Sequence, residues 1–332
     1  MKDARPDGAE AGRPLVSRLA AVDGLRAVAV LAVVAHHAGL LPLGYGTRGV
    51  DLFFVISGFC LSLPTLRALK AGAPFQFDRW RFARGRFARI APPYYVALAL
   101  FGVLSLTSFG LPTVLEPAGR FEWLEDVLFL TTLAPAYNAS FWTLGIEALW
   151  YVLFPMILTI YVRSKPAFAA VALLAYLAYW VDSDLVAVGV LPCFMLGIVA
   201  ADLYVHGKAS SPLYAALALA TLVAATLTDS TSLHGHPLWH VAAFFTLLAG
   251  VGAVHRVASW RPLAAIGVAS YSIYLVHQPI VLFLTRYPIP WPVCGALGVG
   301  AGFVFWFIVE RPLVAWQARD KNRYHGVRAV AA

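Results

Sequence analysis

Charge is scarce in this chain of 332 residues: Asp, Glu, Lys and Arg together make up 13% of it, about half the share of a soluble globular protein. Cysteine is scarcer still. Cys60, Cys193 and Cys294 are the three present, none at a short spacing to another Cys or to His, so neither a disulfide framework nor a sequence-local zinc site is expected and no metal is assigned. Residues 1–18 are Pro, Gly, Ala and charge, without the compact apolar core of a secretory signal, so the first apolar run is expected to remain as an anchor. The low charge also excludes a disordered chain, a coiled coil and a nucleic-acid binder. Net +8 from 25 Lys+Arg over 17 Asp+Glu is read as membrane topology before it is read as a ligand footprint.

What is present in excess is apolar sequence. It reaches 60% of the chain with a mean hydropathy of +0.73, and it falls into runs long enough to cross about 30 Å of hydrocarbon. Ten spans are expected, at 20–42, 50–67, 91–109, 141–163, 166–182, 184–204, 211–228, 238–256, 263–285 and 291–316. The apolar stretch Val127–Pro135 is too short to span and is expected to be re-entrant or interfacial. With the N-terminus inside, 22 of the 25 Lys and Arg fall on the inner side, as the positive-inside rule requires. The fold class expected is therefore all-α: a polytopic bundle of about ten transmembrane helices in the inner (plasma) membrane, N- and C-termini cytoplasmic. A disordered cytoplasmic head (1–18) precedes the transmembrane domain (19–316), and a cytoplasmic tail (317–332) follows it. The linker near 67–90 reads as a basic inner loop. No room is left for a soluble catalytic domain, so the bundle itself carries any chemistry.

Ionisable residues at membrane depth are functional candidates by default. In the first span Arg26 and His37 lie 11 residues apart, on one helical face and about 16 Å apart along the axis. Asp51 opens the second span. Glu147 lies about 9 Å into the fourth. In the ninth, Ser270, Tyr274 and His277 form a polar stripe at i, i+4 and i+7. Reckoned from the outer boundary of each span, His37, Glu147 and His277 fall in one layer with Asp51 at its edge. A second layer at the inner face holds Arg26 with Asp23, Arg86 and Arg89 before Pro92-Pro93, and Glu310-Arg311. Guanidinium forks suit phosphate, so a phosphorylated donor entering from the cytoplasm and meeting a histidine in the outer half is the reading that follows.

Each residue also has a plain structural role open to it. Arg26 could anchor the inner boundary with Asp23, and His277 and Glu147 could be interhelical glue. Asp51 could cap its helix, and Ser57-Gly58 reads as close packing. Trp123 and Tyr151 read as interfacial belt residues. Anionic lipid would satisfy the arginines of 79–89 as well as a ligand would.

In order along the chain stand Asp23-Gly24-Leu25-Arg26 with His37 beyond it, Gly49-Val50-Asp51-Leu52-Phe53-Phe54, and the basic stretch ending Arg89-Ile90 before Pro92-Pro93-Tyr94-Tyr95. Trp142-Thr143-Leu144 with Glu147, Ser270-Tyr271 with Tyr274-Leu275 and His277, and Glu310-Arg311-Pro312 follow. Together they resemble acyltransferase family 3, the bacterial integral-membrane O-acyltransferases, over residues 19–315. The resemblance implies transfer of an acyl group, taken as acetyl, from acyl-coenzyme A as donor substrate to a hydroxyl of a carbohydrate acceptor. The family's essential Arg and His fall on Arg26 and His37, with His36 as a secondary choice. Two departures stand out: Glu147 is followed by Ala148 where many members have a second Glu, and the esterase-like domain that many carry after the last span is not expected here.

In the mechanism this implies, His37 is the general base, with a covalent acyl-histidine as the variant. Glu147 or Asp51 orients it, and Tyr274 or Ser270 donates to the developing oxyanion. His277 joins the catalytic set, while Arg26, Arg86 and Arg89 hold the donor. The acceptor is read as a surface glycan or glycolipid, ahead of a secondary-metabolite glycoside such as a macrolide. The rival class is a transporter or flippase using the same intramembrane groups for proton coupling or solute binding.

Overall fold

The computed structural model describes residues 20–41, 45–105, 122–130, 138–228 and 237–317. The expected head and nearly all of the expected tail lie outside them, as does 131–135 of the expected re-entrant segment. Every regular element among the described residues is helical. In chain order these are α1 (Ala20–His37), α2 (Thr47–Lys70), α3 (Arg79–Ser105), the short α4 (Glu122–Val127), a tight turn at Ala139–Phe141 leading into α5 (Trp142–Arg163), and α6 (Lys165–Val181). They are followed by α7 (Val186–Gly189), α8 (Leu191–Val205), α9 (Leu213–Thr228), α10 (Pro237–Val251), α11 (His255–Ala258), α12 (Arg261–Val268), α13 (Ser270–Leu284) and α14 (Trp291–Phe305). After α14 one π turn at Trp306–Glu310 continues the helix to Gln317.

Six of the described segments are long and apolar enough to cross a membrane: Ala20–His37, Thr47–Lys70, Arg79–Leu104, Ala139–Arg163, Val186–Val205 and Trp291–Gln317. The span expected at 263–285 is instead a pair, α12 and α13, bent by 72°. The helices α6, α9 and α10, at 17, 16 and 15 residues, are apolar but shorter than a full crossing of about 20 residues requires. The chain is thus a multi-pass helical membrane protein, in which six of the ten expected spans reach full length among the described residues.

The basic stretch is also not a loop. α2 runs to Lys70 and α3 begins at Arg79, so Arg79–Arg89 form the first three turns of α3. Arg, Ala and Phe favour or tolerate helix there, and Asp78 accepts a hydrogen bond from Arg81 N at 2.9 Å, as an N-capping side chain does. Pro92 and Pro93 lie inside this helix. Pro92 leaves the Ala88 carbonyl without its helical donor, and Gln317 Nε2 donates to it instead.

The core centres on α1, α2, α8 and α10, with α13 and α14 packed together beside α1. Glycine sets how closely the central helices approach. A Cβ on Gly58 would lie 2.0 Å from the Phe194 carbonyl oxygen, and one on Gly197 2.1 Å from that of Val55, so α2 and α8 meet backbone to backbone. Small residues at such crossings drive association where lipid removes the hydrophobic difference. α6 and α9 pack at the outside of this core and turn Leu173, Leu174, Trp180, Leu219 and Leu227 outward, the pattern of a lipid-facing surface.

Candidate active site

α1, α2, α3, α5 and the α12–α13 bend enclose a cavity of about 130 Å³. Arg26, Arg86 and Arg89 line it together with Glu147, Ser57, Cys60 and Tyr151, and Ser270 and Tyr274 of α13 complete it. Three guanidinium groups against one carboxylate make its lining net cationic. Arg26 reaches it from the second turn of α1, 3.5 Å from Asp23 Oδ1 and 3.7 Å from the Cys60 sulfur. Arg89 is tied 3.5 Å from Glu310 Oε1, whose other oxygen accepts from Ser272 Oγ at 2.6 Å. Glu310 is thus a link between α3, α13 and α14. Arg311 turns away, over the rings of Trp306 and Phe307.

Glu147 accepts hydrogen bonds from Tyr151 Oη, one helical turn on, and from Ser57 Oγ at 3.3 Å. It therefore shares the cavity with Arg26 and does not stand behind an imidazole, although its distance from its own helix end put it level with His37. Depth along one helix ignores the axial offset between helices, and that offset separates the two. Tyr151, expected as a belt residue, is part of this site. Of Ser57-Gly58, the glycine packs against α8 while the serine faces the cavity.

His37 is not among the cavity-lining residues. It is half-buried at the far end of α1, where its Nδ1 meets His277 Nε2 at 2.9 Å and its Nε2 meets Gln278 Nε2 at 3.1 Å. His277 is fully buried, its Nδ1 3.0 Å from the carbonyl oxygens of both Ile273 and Tyr274. Gln278 Oε1 accepts from Ser140 N at 2.6 Å and Ser140 Oγ at 2.7 Å. Pro279 explains part of this local order. It frees the Leu275 carbonyl of its helical donor, and Asn138 Nδ2 takes that carbonyl at 2.8 Å, bringing the turn before α5 against α13. Tyr274 stands between the two regions. Its ring lines the cavity and lies 5.8 Å from the His277 ring, while its hydroxyl donates to the Ser140 carbonyl at 2.9 Å and meets Thr143 Oγ1 at 2.8 Å. The expected polar stripe is therefore divided: Ser270 and Tyr274 face the cavity, His277 faces His37.

Asp51 is in neither region. It sits in the second turn of α2 rather than at its cap, and turns toward α8 and α10. Arg48 Nη1 is 3.5 Å from its Oδ2, His240 Nε2 3.8 Å from its Oδ1, and Cys193 Sγ donates to its main-chain carbonyl at 3.0 Å. Tyr176 Oη meets His240 Nδ1 at 2.8 Å. Asp51, Cys193 and His240 place one ligand-type atom each within 4.8 Å of one another, the group of three among the described residues able to hold a metal. No short spacing announces it, because α2, α8 and α10 supply one residue each.

Gln278, Ser140, Thr143 and Tyr151 have no ionisable charge at neutral pH, and a search for charge at membrane depth passes over them. A neighbour at i+1 to a candidate histidine, and one at i+4 to a candidate glutamate, were the available signals.

The fold and these two regions define a class: a multi-pass helical membrane protein with a cationic cavity at one end of its first helix and a hydrogen-bonded histidine pair at the other. The chain belongs to acyltransferase family 3, whose family model, described as an acyltransferase domain, matches residues 19–311. It is similar to O-acetyltransferase OatA of Staphylococcus aureus, 25% identical over 351 residues that cover 92% of this chain and 56% of that protein. It is equally similar, at 25%, to peptidoglycan O-acetyltransferase OatA of Listeria monocytogenes and putative peptidoglycan O-acetyltransferase YrhL of Bacillus subtilis, covering 80% of this chain and 49% of each of them. The chain thus spans about half the length of the curated relatives it matches. No solved structure matches it.

Proposed function

We propose that the chain is a membrane O-acetyltransferase that moves an acetyl group from acetyl-coenzyme A to a hydroxyl of a cell-wall glycan such as peptidoglycan. The observation that carries this is the placement of His37 and Arg26 at opposite ends of one face of α1, the arginine in a cationic cavity and the histidine beyond it with its ring nitrogens held in hydrogen bonds. The peptidoglycan named in two of the relatives supports the acceptor class, and arginine forks suit the donor's phosphates. With the N-terminus cytoplasmic, as the distribution of Lys and Arg supports, the Arg26 end of α1 faces the cytoplasm of the plasma membrane and the His37 end the opposite side.

In this mechanism Arg26 and Arg86 hold the anionic donor, and the acyl end passes Tyr274 toward His37. Neutral His37 takes the proton of the acceptor hydroxyl as its oxygen bonds to the thioester carbon. The C–S bond breaks, and the departing thiolate recovers the proton from His37 as free coenzyme A thiol, leaving an acetyl ester. Glu147 stands on the donor's side of Tyr274. The Tyr274 hydroxyl proton is engaged by the Ser140 carbonyl, so a role at the developing oxyanion requires it to exchange that partner, with Thr143 or Ser270 nearby.

The test is transfer from labelled acetyl-coenzyme A to a soluble peptidoglycan strand fragment by the purified protein in nanodiscs. The native chain is expected to acetylate the fragment, and His37→Ala to be about a thousandfold slower, within the usual range for a general base. A native protein that consumes no thioester, or a His37→Ala variant as fast as the native one, refutes the reading.

A further inference from the structure

We propose that Gln278 holds the place of the acceptor: its amide N–H occupies the one lone pair of His37 that can accept a proton, and the acceptor hydroxyl reaches the base by displacing that amide. The proposal rests on His37 being the base. Hydrogen-bond direction carries it, and two backbone groups fix that direction from opposite ends.

At one end the Ser140 N–H can only donate. The Gln278 oxygen therefore faces it at 2.6 Å, which turns the Gln278 amino group toward His37 Nε2 at 3.1 Å. An amide NH₂ only donates, so His37 Nε2 carries a lone pair. At the other end the Ile273 and Tyr274 carbonyls can only accept, so His277 Nδ1 carries the proton they share, each at 3.0 Å. His277 Nε2 is then a lone pair and accepts from His37 Nδ1–H at 2.9 Å. Both ends arrive at the same tautomer of His37, with the proton on Nδ1 and the lone pair on Nε2. The base nitrogen is thus oriented by His277 and closed by Gln278.

A closed base has a chemical consequence. While the amide sits on Nε2, His37 cannot deprotonate water or an alcohol, and once Nε2 is protonated the two N–H groups would face each other. A hydroxyl entering here donates to His37 Nε2 and accepts from the displaced Gln278 N–H. A glycan held along its length has binding energy to spend on opening that contact, and a lone water has none. Gln278 is then a positioning residue that keeps the acetyl donor from hydrolysis to acetate and coenzyme A until an acceptor arrives, and the polar end formed with Ser140 and Asn138 is the acceptor-hydroxyl subsite.

Two substitutions separate this from a merely structural role. Gln278→Glu keeps an oxygen for Ser140 but presents His37 Nε2 with a carboxylate, which binds the protonated imidazole and removes the base. Gln278→Leu gives up the Ser140 bond but opens the lone pair. Acetyl-coenzyme A hydrolysis without acceptor, and transfer to the peptidoglycan fragment, are measured for both in nanodiscs, with thermal unfolding to verify folding. The expected result is that Gln278→Leu raises acceptor-free hydrolysis at least fivefold and keeps at least a tenth of transfer, while Gln278→Glu loses at least a hundredfold of transfer and gains no hydrolysis. Gln278→Met, of similar length and without an amide, replaces the leucine if that variant unfolds. If Glu is near native and Leu is inactive, Gln278 only supports Ser140; if both match the native protein it does nothing at the base; either result overturns the proposal. A His37→Ala variant with native turnover refutes the underlying base assignment instead, so the two failures are distinguishable.

Discussion

Two polar clusters lie on different faces of α2, at Asp51 and at Ser57, about 120° apart around its axis, and they differ in what they leave open. Around Asp51 every ionisable side chain turns inward: Asp51 is 2% exposed, His240 and Cys193 0%, and Arg48 meets the carboxylate. Around Ser57 the charges line a space. Arg26 and Arg86 face the same cavity as Glu147, with more positive charge than Glu147 alone balances. Buried charges in a bundle need compensation. In the first cluster neighbouring helices supply it, which ties α2 to α10, whereas in the second the excess positive charge faces an open cavity, where the proposed anionic donor would complete it. The same residue types thus act as interhelical glue in one place and line an open cavity in the other.

That contrast can be broken by exchanging which cluster matters for folding and which for turnover. The largest effect expected is on stability. Asp51→Ala removes the buried carboxylate that faces Arg48 and His240, and removing one partner of a buried pair costs about 3–5 kcal/mol, read as a lowered unfolding midpoint in detergent, while the folded fraction keeps its KM for acetyl-coenzyme A. A fall in kcat at unchanged stability would move Asp51 into the chemistry. Next, Arg26→Ala should raise the KM for acetyl-coenzyme A between tenfold and a hundredfold, about 1.4–2.8 kcal/mol, with little loss of stability. The reverse pattern would make Arg26 an anchor paired with Asp23. Smallest, Tyr151→Phe removes one hydrogen bond from Glu147, worth about 1 kcal/mol, and should change the donor KM by less than tenfold. No change at all would mean that Glu147 is held by Ser57 alone.

Several of these placements were legible from residue order and several were not. Helical periodicity puts Arg26 and His37 on one face of a continuous α1, because rotation per residue within a helix is a local property. Levelling His37, Glu147, His277 and Asp51 by distance from their own helix ends grouped residues that the fold divides among three clusters. Only His37 and His277 are in contact. The arginines of 79–89 read as a loop because a basic inner linker satisfies topology, yet the helix begins at Arg79 and presents Arg86 and Arg89 as cavity walls. Gln278 escaped notice because it carries no charge, although its amide is the group that touches His37 Nε2.

What the sequence determined unaided is the solvent and the parts: long apolar runs demand a membrane and helices, since hydrocarbon leaves backbone polar groups no other partner, and the ordered motifs point to the family that the comparison then establishes. What only the tertiary structure decided is which parts meet. That depends on the rotation and axial offset of each helix against its neighbours, set where backbones touch at Gly58 and Gly197 of the α2–α8 crossing and at Gly24 and Gly267. A Cβ at the latter two would fall 1.8 Å from the Ala258 oxygen and 1.6 Å from the Asp23 oxygen, respectively. No periodicity along a single helix encodes those offsets, because they arise from shape complementarity between surfaces far apart in the chain.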